Sequence, residues 1–471
     1  MAESKVKNKI LLVQAPPWGV YAPPLGIAYL VTFLKHHGIS SNVFDLNMEV
    51  YNCAHKEVKE KWDTQDFDFW ASGKAVEQLS GQLEDLANKI ISFNTQIIGF
   101  STTFASVSFL NSLLTILKRK LHKNAIILVG GAGPNFSNVR FLFKKDLIDY
   151  FIIGEGEYPL LSLLNDIEND KTIQAGSHYS IWKDTPEDYT VCVKASKENG
   201  ISIDDIPFPT FEEFDLGLYT QNDLLPLISS RGCVRACTFC CDAPLKKPYR
   251  SRNPEKVAEE IKHHVTRYNR RRFEFSDLLI NGDLNFLDRF CNLLIDRGLD
   301  VCWGGQATVR GDMDADLFKK MKKAGCGGLT FGCESFSDRV LKLMRKKMTS
   351  QDAKDTFIKA KDAGMQVEIN LIVGFPGETD DDIDETIKFI RENAKWIDKI
   401  NSLNICTIGP GMYIYEHLDE YGIDKSMITD WYAWFTRDIS NTIEVRVERH
   451  KRLMSVCSEL NLNPLWQNIK K

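Results

Sequence analysis

No stretch of this 471-residue chain approaches the ~18 consecutive apolar residues of a membrane-crossing helix, so the sequence predicts no span. Residues 1–9 are polar and lead straight into a short apolar run; no secretory leader is expected, and the expected location is the cytoplasm. Neither sign of charge dominates. The 59 Lys and Arg against 64 Asp and Glu leave a formal net charge of -5, which gives no general attraction for nucleic acid or an anionic membrane. The basic runs at 270–272 and 345–347 read as solvated helix ends. The first apolar run is not followed by G-x-G-x-x-G, so NAD and FAD are not expected. No acid-base dyad or nucleophilic triad stands out.

What is present is a cysteine loop. With 43% hydrophobic and 26% charged residues the chain has an ordinary globular composition, and its length predicts two or three domains. Residues 230–242 read Ser-Arg-Gly-Cys-Val-Arg-Ala-Cys-Thr-Phe-Cys-Cys-Asp. Cys233, Cys237 and Cys240 are spaced C-x3-C-x2-C, which lets one short loop bring three thiolates to a metal centre. Structural zinc needs a fourth ligand, and the nearest histidine downstream is His263. Disulfides do not suit a reducing compartment. An iron-sulfur cubane is normally held by four thiolates, so one bound here keeps an iron open for a substrate or cofactor. Cys241 reads as a bystander. The other eight of the 12 cysteines show no ligand spacing and default to packing.

Around this loop, short apolar runs alternate with amphipathic stretches in two blocks. In the first, strands are expected at 10–13, 42–45, 97–101, 125–129 and 150–153, with helices between them, as in a Rossmann-like domain over residues 1–168. Ligands in such folds bind beyond the carboxyl ends of the strands. The loops there carry Gln14 to Trp18, Ser101 and Thr102, Gly130 and Gly131, and Gly154 and Glu155. Residues 51–74 read as an insertion able to cover that face. A connector, 169–223, holds a hairpin near 180–193 and a stiff proline segment at 206–210. The second block, 224–408, has six strand-helix units, which fit an open, partial (β/α)6 TIM-like barrel. The cysteine loop follows its first strand. Asp277, Arg310, Glu334 and the turn from Gly374 through Pro376 to Glu378 fall at later strand ends. Asp277 and Glu378 could equally cap the next helix, and Arg310 could sit in a buried ion pair. Residues 409–471 read as a helical, aromatic extension that closes a core or lines a cavity.

With its three cysteines and the aromatic Phe239 before the third, the chain resembles the cobalamin-binding radical S-adenosylmethionine (SAM) superfamily over roughly residues 9–411. The resemblance implies an α/β chain: a Rossmann-like cobalamin-binding domain, then a radical SAM barrel and a helical tail. It implies three cofactors, a 4Fe-4S cluster on Cys233, Cys237 and Cys240, SAM, and cobalamin. Glu334 would bond the SAM ribose, Gly374 to Pro376 pack its adenine, Asp277 meet its amine and Arg310 its carboxylate. The hydroxyl and glycine loops would cradle the corrinoid tail. The Asp-x-His-x-x-Gly motif that gives other cobalamin proteins a cobalt ligand is absent, and Gln14 to Trp18 stand in its place. The implied activity is reductive cleavage of SAM to a 5'-deoxyadenosyl radical. Methylation of an unactivated carbon or a phosphinate of a small molecule would follow, with flavodoxin or ferredoxin as electron donor. Alternatives are a non-methylating radical reaction, and a non-catalytic iron-sulfur or corrinoid carrier. Methylthiolation of tRNA is disfavoured because only Cys53 and Cys192 precede the triplet.

Overall fold

A computed structural model describes residues 10–62, 66–169, 179–183, 191–195, 202–242 and 248–468. The chain divides into two compact units, Met1–Asn222 and Asp223–Lys471.

The first unit is built on a seven-stranded sheet in the order β2-β1-β3-β4-β5-β7-β6. β1 (Ile10–Gln14), β2 (Ser41–Phe44), β3 (Ile97–Thr102), β4 (Ile126–Gly131) and β5 (Tyr150–Ile153) run parallel. All five residues of β1 are buried, as expected of a strand covered on both faces. The order 2-1-3-4-5 is that of flavodoxin-like sheets, and it places the switch point between β1 and β3, where ligands of such folds bind. The expected hairpin is β6 (Tyr179–Trp182) with β7 (Val191–Ala195), and β7 pairs in parallel with β5, so the hairpin extends the main sheet. Its Thr190 lies outside the described residues. The proline segment also stays with this unit: the Thr210 N–H donates to the Thr32 hydroxyl at 2.9 Å.

Residues 51–74 read as an insertion able to cover the ligand face. Where described they are short helices whose Val58, Trp62, Phe69 and Trp70 belong to the unit's main hydrophobic core. Their aromatics lack a clear period because the helices are too short to show one. A single amide ties them to the loop after β1, for Asn47 Oδ1 accepts from both Trp62 Nε1 and Trp18 N at 2.9 Å.

The second unit holds six parallel strands in sequential order, β15-β14-β13-β12-β11-β8, the open barrel the pattern predicts. They are β8 (Leu224–Leu227), β11 (Arg272–Phe275), β12 (Cys302–Ala307), β13 (Cys326–Glu334), β14 (Gln366–Val373) and β15 (Lys399–Ile405). A two-residue antiparallel ladder, β9 (Ser230–Arg231) with β10 (Arg250–Ser251), flanks the cysteine loop. Burial alternates along β14: Val367, Ile369, Leu371 and Val373 are buried, while Glu368 and Asn370 are half-buried. Helices cover the apolar face, with Phe331 against Phe357 and Phe275 against Phe290. A parallel sheet covered on both sides would be apolar on both. Glu368 and Asn370 thus mark a more polar face of this sheet. Residues beyond 409 complete a core with Val340, Met344 and Phe375, in which Trp434 is buried.

Candidate active site

The cysteine loop leaves the carboxyl end of β8 and is held from below by one carboxylate. Asp277 accepts from Ser229 N at 2.8 Å, Ser229 Oγ at 2.6 Å and Ser230 Oγ at 2.5 Å. Burial pushes its pKa up to about 6, with these donors pulling the other way. Asp277 is thus spent on anchoring the loop, and both its oxygens are engaged. Farther along, Thr238 N donates to Met344 O at 3.2 Å, and Ile414 N to Thr238 O at 3.0 Å. Cys233 and Cys237 are buried, Cys240 is half-buried and Cys241 is exposed. Arg235 N points at Cys233 Sγ from 3.4 Å. Among the described residues no three His, Cys, Asp or Glu side chains close on one metal ion. A cubane does not require that convergence, since each thiolate binds its own iron. Three thiols on one pinned loop, one of them already facing a backbone donor, fit such a cluster.

Beside the loop lies a pair that the sequence reading half missed. Glu334 ends β13 at a register shift between Gly332 and Glu334, with φ 69°. That left-handed conformation costs a non-glycine residue about 1–3 kcal/mol and marks a position fixed by its surroundings. Lys346 Nζ approaches Glu334 Oε1 to 3.3 Å, with side-chain exposures of 7% and 11%. Burial pushes the Glu334 carboxyl up, and Lys346 opposes it. Burial works against the Lys346 charge too, but Glu334 and the Cys237 thiol outweigh it and raise its pKa. Lys346 also stands 5.9 Å from the centre of the half-buried Phe239 ring. The run 345–347 is therefore not simply a solvated helix end. Arg345 and Lys347 are exposed and take φ 56° and 53°, while Lys346 between them turns inward. Charge composition cannot reveal this, because only the fold brings Lys346 to Glu334.

Arg310 is engaged elsewhere: its Nε and Nη2 meet Asp312 at 2.8 and 2.6 Å, and its Nη1 donates to Asn281 O and Gly282 O. It is ion-paired, but with Asp312 60% exposed the pair is not the buried one expected. At the end of β14, Gly374 has φ 80°, and a Cβ there would sit 2.2 Å from Arg446 Cγ, so the turn requires glycine. Asn441 Nδ2 donates to the carbonyls of Gly374 and Phe375 at 3.0 and 3.1 Å. Pro376 is buried, and the Glu378 carboxylate accepts from Gly374 N. Arg446, stacked 3.8 Å from the Trp434 ring, backs this turn. The tail thus rigidifies a strand end of the site.

At the switch point of the first unit the chemistry is mostly neutral. Gln14 is buried and donates to Ala15 O at 3.2 Å. Thr102 Oγ1 donates to Gly130 O at 3.0 Å, so that hydroxyl is occupied within the sheet. The half-buried Ser101 hydroxyl has no hydrogen bond among the described residues, leaving it for a ligand. Gly131 has φ 96°, and a Cβ there would lie 2.6 Å from Thr102 O. Asn135, which the sequence did not single out, bonds Gly131 O and Gly154 N and ties these loops together. Glu155 is half-buried beside Gly154. Trp18 and Phe104, on the loops after β1 and β3, stay exposed at 38% and 40%. A free hydroxyl, glycine backbone and exposed aromatics suit a large ligand with apolar and amide edges.

A flavodoxin-like sheet followed by an open barrel with a three-thiol loop defines the architecture of a corrinoid-dependent radical enzyme. The family model of the B12 binding domain matches residues 18–164, and that of the Radical SAM superfamily matches 227–390. The chain belongs to the cobalamin-binding radical SAM superfamily and is an enzyme whose cofactors are a 4Fe-4S cluster, SAM and cobalamin. It is 26% identical over 446 residues to an uncharacterized methyltransferase of Pyrococcus horikoshii, covering 91% of this chain and 87% of that one. It is 24% identical to the anaerobic magnesium-protoporphyrin IX monomethyl ester cyclase of Rubrivivax gelatinosus, covering 79% and 62%. In fold it is similar to the radical SAM methyltransferase of Kitasatospora setae solved with tryptophan substrate and a SAM analogue, with a TM-score of 0.68 at 14% identity, over 96% and 89% of the two chains. No helix among the described residues is long and apolar enough to cross a membrane.

Proposed function

We propose that this cobalamin-dependent radical SAM enzyme is a methyltransferase acting on an unactivated carbon or a phosphinate of a small molecule, in the cytoplasm, with a flavodoxin- or ferredoxin-type electron donor. The observation that carries this reading is the meeting of the three-thiol loop with the buried Glu334–Lys346 pair at the carboxyl ends of the barrel strands. When bound, the cluster and SAM supply radical chemistry and the corrinoid supplies a methyl carrier. The protein's own residues bind, orient and exclude water. Cys233, Cys237 and Cys240 hold the cluster, and Asp277 fixes the base of their loop. Glu334 accepts the ribose hydroxyls of SAM. Lys346, within reach of Glu334, neutralises it and can also face the SAM carboxylate, the role first considered for Arg310. The turn from Gly374 to Pro376, backed by Arg446, forms a flat wall for adenine. Ser101, the Gly130 and Gly131 backbone and the loop at Gly154 and Glu155 hold the corrinoid side.

The test is anaerobic reconstitution with iron, sulfide and hydroxocobalamin, then mass spectrometry of the SAM-derived products under reduction. Methylation yields S-adenosylhomocysteine. The relative named as a cyclase favours one other reading, a radical reaction without methylation, which yields 5'-deoxyadenosine and no S-adenosylhomocysteine. Failure to cleave SAM at all defeats both.

A further inference from the structure

Between the first two cysteines stands a cation whose donors are not all used. Arg235 Nη2 donates to Val309 O at 3.2 Å. Its Nε–H is closed off from solvent and meets no acceptor among the described residues. A guanidinium carries five donors in a rigid fork, so one arm fixed on Val309 also fixes where Nε points. The charges that act on Arg235 are Arg310, which repels it, and the Cys237, Cys233 and Asp312 groups, which attract it. Arg310 and Asp312 are matched to each other through two contacts. Lys346, which also feels Cys237, is matched to Glu334. Arg235 is thus a cation beside the thiols with no carboxylate of its own in these contacts.

We propose that Arg235 sets the reduction potential of the cluster, its Nε–H donating to a cluster or cysteine sulfur and its charge favouring the reduced form. The inference rests on the reading that Cys233, Cys237 and Cys240 hold that cluster. Reduction adds one electron, supplied by a low-potential flavin or iron-sulfur protein, and takes up no proton. It therefore adds negative charge beside a fixed positive one. Hydrogen bonds to sulfur and local charge are the levers by which proteins move such potentials.

The experiment is a redox titration followed by electron paramagnetic resonance on reconstituted full-length protein: wild type, Arg235→Gln and Arg235→Lys. At a fixed poise, Arg235→Gln is expected to lower the reduced-to-oxidised ratio about tenfold, about 59 mV for one electron. Arg235→Lys keeps the charge and is expected to lose less than half of that shift. Should Arg235→Gln load no iron, the wild type and Arg235→Lys decide through exchangeable-proton coupling to the reduced cluster in H2O and D2O: a coupling present in the wild type and lost in the lysine variant supports the assignment, and one equal in both overturns it. Full iron loading in Arg235→Gln with an unmoved potential also overturns it, and weaker SAM binding with an unmoved potential reassigns Arg235 to the substrate. A wild type that loads no cluster defeats the underlying reading instead.

Discussion

The carboxyl ends of the two parallel sheets solve the same binding problem with different chemistry. Around β1, β3 and β4 the chain offers amides, a free hydroxyl, glycine backbone and exposed rings: Gln14, Ser101, Gly131, Asn135, Trp18 and Phe104. Around the barrel strands it offers ionisable groups that are wholly or partly buried: Asp277, Glu334, Lys346, Glu378 and, on the loop, Arg235, whose Nε is closed off from solvent. Buried charge is expensive unless it is paired, and most of these groups are. The contrast matches the two kinds of ligand. A corrinoid is large and can be held by shape and many weak contacts. A sulfonium amino acid and an iron cluster are small and charged, so orientation has to come from fixed charges. Substitutions should accordingly act through shape on the first face and through charge on the second.

The largest expected effect breaks the barrel side alone. Cys237→Ala should abolish cluster assembly and all reductive SAM cleavage while cobalamin loading of the first unit persists. Iron analysis and the visible corrinoid spectrum read the two independently, and SAM cleavage by the variant would refute the cluster assignment. The complementary substitution is Gly131→Val. Its φ of 96° and the 2.6 Å approach of Thr102 O leave no room for a side chain. Cobalamin loading should fall to background with SAM cleavage to 5'-deoxyadenosine retained. Loss of both in a folded variant would mean that the two faces are not separable as argued.

This division also governs what was legible in sequence. Strands in the first unit's sheet announce themselves through apolar runs, and β5 begins and ends where the pattern puts it, because burial on both faces leaves no polar alternation to blur its ends. The cysteine triplet is local in sequence and could be read at once. Lys346, Arg446 and Asn135 could not be read so, since each acquires its meaning only from the partner the fold brings to it: Glu334, Gly374, and both Gly131 and Gly154. Asp277 and Arg310 were found at the right strand ends, yet they serve the loop and a neighbouring aspartate. A strand-end position is set by topology, whereas the direction of a side chain is set by the donors it happens to meet. The one available hint to Lys346 was its setting, a lysine between two basic residues, and spacing alone does not distinguish it from Arg345 or Lys347.

A smaller effect sharpens the charge side. Glu334→Gln keeps the shape but leaves Lys346 buried without its counter-charge. Hydrogen bonds to charged groups contribute about 1.5–3 kcal/mol, so SAM affinity should fall roughly ten- to hundredfold. Equilibrium binding of SAM to the loaded, oxidised protein checks this, with iron content unchanged as the control. Affinity within about twofold of wild type would remove Glu334 from the site.

The last effect is read as a pH dependence and concerns Glu378, the buried acid whose carboxyl group receives Gly374 N at the end of β14. Burial pushes its pKa up to about 8, against the pull of that donor and of Arg449 at 4.0 Å. The folded pKa thus lies above the ordinary carboxylate value of 4.5. Between these values the unfolded chain holds the carboxylate ionised while the fold keeps it protonated. The fold therefore binds the extra proton, and stability falls as pH rises from about 5 to about 8, by up to ~1.4 kcal/mol per unit, then levels off. Glu378→Gln keeps an acceptor for Gly374 N and has nothing to titrate. Denaturant unfolding of the wild type should lose stability between pH 6 and about 8, and the glutamine variant should lose less. Parallel curves for the two proteins would mean that Arg449 already holds Glu378 charged, making this corner of the barrel an ion pair like Arg310 with Asp312.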